Sequence, residues 1–176
     1  MPDSPPQAAP GKSMGKAMLM ITWLVVLGLL TLWFGRWEER QYNPNAAPES
    51  RLASDQVIVT LNANRWHHYV SNGTINGEPV TFLLDTGATA VSVPANLADK
   101  LGLDKGVPMQ SQTANGTVRV WSTRIDQLTL GAITLTNLRG SINPGMQGDE
   151  ILLGMSALKQ LEIRQQGDTL TLIQRH

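Results

Sequence analysis

The chain has two hydrophobic textures. Residues 17–34, AMLMITWLVVLGLLTLWF, carry no charge and are mostly large and apolar. From Gln56 onward the apolar residues come in short alternating runs: Val57, Val59 and Leu61; Leu128 and Leu130; Ile133 and Leu135 across Gly131; Leu170 and Leu172. An unbroken apolar run suits a helix in lipid, whereas a period of two suits half-buried strands. A helix of about 18 residues at 1.5 Å per residue reaches roughly 27 Å, close to the hydrocarbon thickness of a bilayer.

Residues 17–34 are therefore read as a transmembrane anchor. Trp33 and Trp37 sit at its far end, where indoles favour the headgroup region. A cleaved signal peptide is the alternative, but its apolar core is usually shorter and a small-residue cleavage site should follow closely. A buried soluble helix ranks below both. Lys12 and Lys16 precede the span and Arg36 and Arg40 follow it, so the basic residues almost balance. The short tail before a first apolar segment favours export of the chain beyond it, with the C-terminal domain outside the cytoplasm.

Residues 1–16, rich in Pro, Ala, Ser and Gly, are expected to be a disordered tail. Residues 35–55, with Asn43-Pro44-Asn45 and Pro48, read as a linker. The folded domain is placed at residues 56–174. Asn76-Gly77 and Asn115-Gly116 signal hairpins, because Asn and Gly tolerate positive φ. Only Ala95 to Leu101, stopped at Gly102, and Met155 to Leu161 look helical. The predicted fold is all-β, a small closed, barrel-like arrangement of short strands with one short C-terminal helix, behind the N-terminal transmembrane helix.

Composition removes several functions. Fourteen basic and fourteen acidic residues give zero formal charge, so nothing argues for a nucleic-acid partner. The absence of cysteine excludes disulfides, zinc–thiolate sites and thiol catalysis. His67 and His68 are adjacent on an expected strand and would point to opposite faces, so they cannot chelate one metal together. Asn72-Gly73-Thr74 and Asn115-Gly116-Thr117 fit the glycosylation pattern but read better as turns. The glycines around Gly145 and Gly148 form no phosphate cradle. No metal and no cofactor is expected.

The informative stretch is Val80 to Pro94, VTFLLDTGATAVSVP. An apolar strand ends in Asp85-Thr86-Gly87-Ala88, and a second apolar run begins around Val91 and Val93. Asp, Thr and Gly are common in plain surface turns. Apolar shoulders on both sides instead place this turn inside the domain, where an acid is costly unless hydrogen-bonded or used. Gly87 can bring its N–H close because no Cβ intervenes.

With these residues the chain resembles the retropepsin-like aspartic proteases, in particular single-domain, membrane-anchored bacterial members. Three segments match in order: LLDTGATAVSVP at 83–94 as the active-site loop, QSQTANGTVRVW at 110–121 as the flap, and ILLGMSALKQL at 151–161 as the hydrophobic-hydrophobic-Gly segment before a short helix. The resemblance covers roughly residues 56–174. It implies Asp85 as the catalytic carboxylate, Thr86, Gly87 and Ala88 as its loop, and Ala114, Asn115 and Gly116 as the substrate-binding flap tip. It also implies a peptide or protein substrate; the exported topology read from the N-terminal span puts the domain on the periplasmic or another extracytoplasmic side of an inner membrane.

Such enzymes work with two carboxylates sharing one proton, one activating water and the other assisting at the scissile carbonyl. This chain has one Asp-Thr-Gly. Asp168-Thr169 is followed by Leu170 and lacks the glycine, so the second carboxylate is expected from a symmetry mate in a homodimer. Trp121 could shield the cleft, although a core or interface indole is the commoner use. The competing reading is a non-catalytic, membrane-tethered β-domain that binds extended peptides. A purely structural adaptor would leave the Asp85 loop unexplained.

Overall fold

The computed structural model describes residues 11–113 and 116–175. It divides into two compact units, Met1–Glu39 and Arg40–His176. The first is carried by helix α1 (Gly11–Tyr42), which runs on into the second. This helix overruns residues 17–34 at both ends. Its most apolar window has a mean hydropathy of 2.2 and is not buried, so it is long and apolar enough to cross a membrane. The hydroxyls of Thr22 and Thr31 donate to the carbonyls of Met18 and Leu27 one turn back. Both polar side chains are thus satisfied within the helix, as lipid requires.

The second unit holds two separately hydrogen-bonded sheets. The smaller comprises β1 (Glu49–Leu52), β2 (Gln56–Asn62), β10 (Glu162–Gln166) and β11 (Thr169–Arg175), in the order β1-β2-β11-β10. The larger comprises β3 (Val70–Ile75), β4 (Glu78–Leu84), β5 (Val91–Pro94), β6 (Pro108–Thr113), β7 (Gly116–Leu130), β8 (Ile133–Asn143) and β9 (Glu150–Leu153). Its order is β3-β4-β9-β5-β8-β7-β6, and β3 also touches β7 at Thr74↔Thr129 and Ile75↔Leu128. Helix α2 (Met155–Leu158) follows β9, and Ala95–Leu97 form one 3-10 turn after β5.

This corrects the all-β, closed-barrel expectation. The protein is a mixed α/β fold with two sheets, one long N-terminal helix and one short C-terminal helix. The sequence pattern marks strands but not their partners. Strands β4 and β9 pair in parallel, as do β5 and β8, and among the described residues β6 pairs with β7 alone. Val57, Val59 and Leu61 of the small sheet share one core with Phe82, Leu128, Leu130, Ile133 and Leu135 of the large one. Each such side chain, fully buried, contributes roughly 1.5–3 kcal/mol.

Local signals divide in the same way. Asn76 and Gly77 have φ of 50° and 86° and turn β3 into β4, as the Asn-Gly pair requires. Asn72-Gly73-Thr74, expected as a turn, lies inside β3. His67 and His68 lie on no strand. They belong to a loop built on Asn64, whose Oδ1 accepts the N–H groups of Trp66 and His68 at 3.0 Å each, and His67 takes φ 62°.

Asn45 carries no signal in the sequence yet is only 3% exposed. Its amide nitrogen donates to the carbonyls of Asn62 at 2.9 Å and Val70 at 2.7 Å, and its Oδ1 accepts the Asn62 N–H at 2.7 Å. Its own carbonyl accepts from Ser71 Oγ at 3.0 Å. One side chain therefore links β2 to β3 across the two sheets.

Candidate active site

Strand β4 delivers Asp85 to its end, and β5 resumes at Val91. Strand β9 lies between them, parallel to β4 through Leu84↔Leu153 and meeting β5 at Ser92↔Leu152. Residues 85–90 therefore arch over the end of β9. The Asp85 N–H donates to the Leu153 carbonyl at 3.2 Å, and the Gly87 N–H donates to Asp85 Oδ1 at 2.8 Å. The Ala88 N–H closes the turn on the Asp85 carbonyl at 3.2 Å. Asp85 and Ala88 are half-buried, while Thr86 and Gly87 are exposed.

The arch is braced from below by α2. The N–H groups of Met155 and Ser156 donate to the carbonyls of Ala88 at 2.8 Å and Thr89 at 3.0 Å. Ser156 Oγ accepts the Val91 N–H at 3.0 Å and donates to the Arg139 carbonyl at 2.7 Å. A single hydroxyl thus ties the arch, β8 and α2 together. Sequence reasoning passed over Ser156, although it lies two residues beyond the singled-out Gly154. Only an unsatisfied N–H at the start of β5, which the fold reveals, shows why a hydroxyl is needed there.

Gly154 has a steric reason. A Cβ there would stand 2.3 Å from the Ala90 carbonyl oxygen and 2.6 Å from that of Ala88. Gly87 differs, because a Cβ there would meet only Asp85 Oδ1, at 3.1 Å. No ion pair among the described residues involves Asp85.

The remaining sequence candidates separate. Ala114 and Asn115 lie outside the described residues. Strands β6 and β7 flank them in antiparallel register down to Thr113↔Gly116, and Gly116 has φ 107°. Asp168 lies at the β10–β11 turn of the small sheet, 80% exposed, with Oδ1 3.7 Å from His67 Nδ1. It is on a different sheet from Asp85. Trp121 packs partly buried against the core, with Lys105 Nζ 5.3 Å from its ring centre.

Asp85 thus sits on a two-strand arch braced by a short helix behind a glycine. The profile of the gag-polyprotein putative aspartyl protease family matches residues 71–160, just over half of the chain and inclusive of the whole arch and its brace. The chain belongs to that family. A curated Sinorhizobium sp. protein described as "Uncharacterized protein in cobV 5'region" is 27% identical over 162 residues, covering 86% of this chain and 70% of its own. The crystal structure of a retropepsin-like aspartic protease from Rickettsia conorii superimposes with a TM-score of 0.60 at 24% identity, over 72% of this chain and 95% of that one. At that identity the likeness is one of fold.

Proposed function

We propose that the protein is an aspartic endopeptidase whose working form is a homodimer, with Asp85 of each copy supplying one of two catalytic carboxylates. The observation that carries this reading is the setting of Asp85. Its carboxylate is held by the Gly87 N–H at 2.8 Å on an arch fixed from beneath, with no cation paired to it among the described residues. A paired cation would pin the group as a carboxylate. Without one it can share a proton with a second carboxyl about 3 Å away.

The chemistry then needs no metal or organic cofactor. One carboxylate removes a proton from water, the water oxygen attacks the scissile carbonyl carbon, and the shared proton stabilises the oxygen that gains charge. The tetrahedral intermediate then collapses, the C–N bond breaks, and the amine leaves with the proton taken from water. Thr86, Gly87 and Ala88 form the loop around the dyad. Ala114, Asn115 and Gly116, in the segment that joins β6 to β7, serve as the flap over a peptide bound by strand-like pairing. Residues 17–34 hold the enzyme in an inner membrane, with the folded domain on the periplasmic side.

Asp85→Asn is the test. The full-length protein in detergent should cleave a mixed peptide pool, and a pepstatin-like inhibitor should block it. Asp85→Asn should lower the rate by about a thousandfold or more with an unchanged circular dichroism spectrum. Cleavage by the variant at the wild-type rate would remove Asp85 from the chemistry.

A further inference from the structure

Arg124 and Arg139 face each other across the β7–β8 ladder. Directly opposed residues of antiparallel strands project to the same face, with Cβ atoms roughly 5 Å apart. Both arginines are exposed, and both line one open groove of about 580 Å³, with Ser122, Asn137 and Asp104 along it. Their backbone positions are firmly set. Ile125 and Leu138, the next residues along the two strands, also pair and are 0% and 1% exposed.

Like charges placed directly opposite each other cost stability, and no acidic side chain among the described residues pairs with either one. Asp104, though it lines the groove, reaches neither. Arg124 Nη2 donates to Asn137 Oδ1 at 3.0 Å, which steadies one guanidinium and leaves its other N–H groups to donate elsewhere. The Arg139 guanidinium makes no hydrogen bond among the described residues, while its backbone carbonyl is taken by Ser156. Two planar donor forks on rigid neighbouring strands match the geometry of a carboxylate or phosphate.

We propose that this groove binds an oxyanion, a carboxylate or phosphate group clamped between Arg124 and Arg139. Binding would replace the repulsion between the two guanidiniums with two charge-assisted contacts. The site is built without Asp85 and does not depend on the peptidase reading.

The test is calorimetric titration of the full-length protein in non-ionic detergent with inorganic phosphate and, separately, with acetate. Sodium chloride holds ionic strength constant, because exposed charges respond to any salt. Saturable binding is expected. Arg124→Gln and Arg139→Gln should each weaken it about tenfold or more. Arg139→Lys should fall between, keeping the charge and losing the fork. A second readout guards against damaged folds. Without added anion, Arg139→Gln should melt at or above the wild-type temperature, since the opposed charge is gone. Phosphate should then raise the wild-type Tm and leave that of the variant where it was. Binding of phosphate alone would mark a phosphate-bearing ligand, and binding of both would mark any oxyanion. Absence of saturable binding of either by the wild type, or binding unchanged in both Gln variants, would overturn the proposal.

Discussion

Gly154 lies directly beneath Ala90, so close that a methyl group on Gly154 would stand 2.3 Å from the Ala90 carbonyl oxygen. The obstacle is backbone, fixed on both sides by strands β5 and β9, and it cannot swing aside. Gly154→Ala should therefore cost about 2–4 kcal/mol of stability, read as a lowered urea midpoint. Gly87→Ala should behave differently. Its new methyl meets only the Asp85 carboxylate at 3.1 Å, so cleavage should fall while the urea midpoint moves by less than about 1 kcal/mol equivalent. Equal loss of stability in the two variants would show that the arch is not braced as described.

Asn45→Ala should destabilise the second unit by about 1–3 kcal/mol, because it strands the buried Val70 carbonyl and removes both backbone partners of Asn62. The same bonds set where a soluble version should begin. A truncation starting at residue 40 should melt well above one starting at residue 50, which lacks Asn45. Matching melting curves for the two truncations would contradict this.

Acid sensitivity should have a part that belongs to Glu162. Hydrogen bonds from Arg175, and then from Arg164, hold its carboxyl below the ordinary glutamate range. A carboxyl whose pKa is lower when folded adds stability above its unfolded pKa and loses it as pH falls through the folded value. Glu162→Gln should thus be the less stable protein near neutrality. The two stabilities should converge in acid below the usual glutamate range. The exposed setting keeps the effect small. A gap between the two denaturation curves that stays constant down to acid pH would assign the loss to packing.

Assembly can be read from dilution. If two copies of Asp85 form one site, specific activity in detergent should fall below the dimer dissociation constant. Reconstitution into vesicles should restore it at the same bulk concentration, since anchored domains meet at higher effective concentration. Constant specific activity across dilution, with a monomer by ultracentrifugation, would require a second acid within one chain.

Several elements were legible in the sequence because their cause is local. Asn76-Gly77 makes its hairpin by backbone preference alone, and Leu128, Leu130, Ile133 and Leu135 face the core by simple alternation. The Asp85 turn stood out by its apolar shoulders, and Gly154 by the run before it. The features that were missed depend on partners distant in the chain. Nothing near Glu150–Leu153 says that this strand will lie parallel to β4 and between β4 and β5 in a sheet of mixed direction. Asn45 looks like a linker residue until β2 and β3 arrive on either side of it. His67 and His68 read as strand until Asn64 is seen to gather their loop. Arg124 and Arg139, fifteen positions apart, become neighbours only through the β7–β8 register.

The insertion of β9 between β4 and β5 also bears on synthesis. Asp85 leaves the ribosome well before Leu153, Met155 and Ser156, the residues that hold its loop in place. Until they emerge, the Asp85 N–H and the Ala88 and Thr89 carbonyls lack their partners. Pairing across such a sequence separation forms late, after the loop-closure entropy has been met. A nascent chain therefore carries its acid on an unbraced loop for much of translation. A chain built this way acquires a braced Asp85 loop only when it is nearly complete, so the last residues made are the ones that shape the first part of its candidate site.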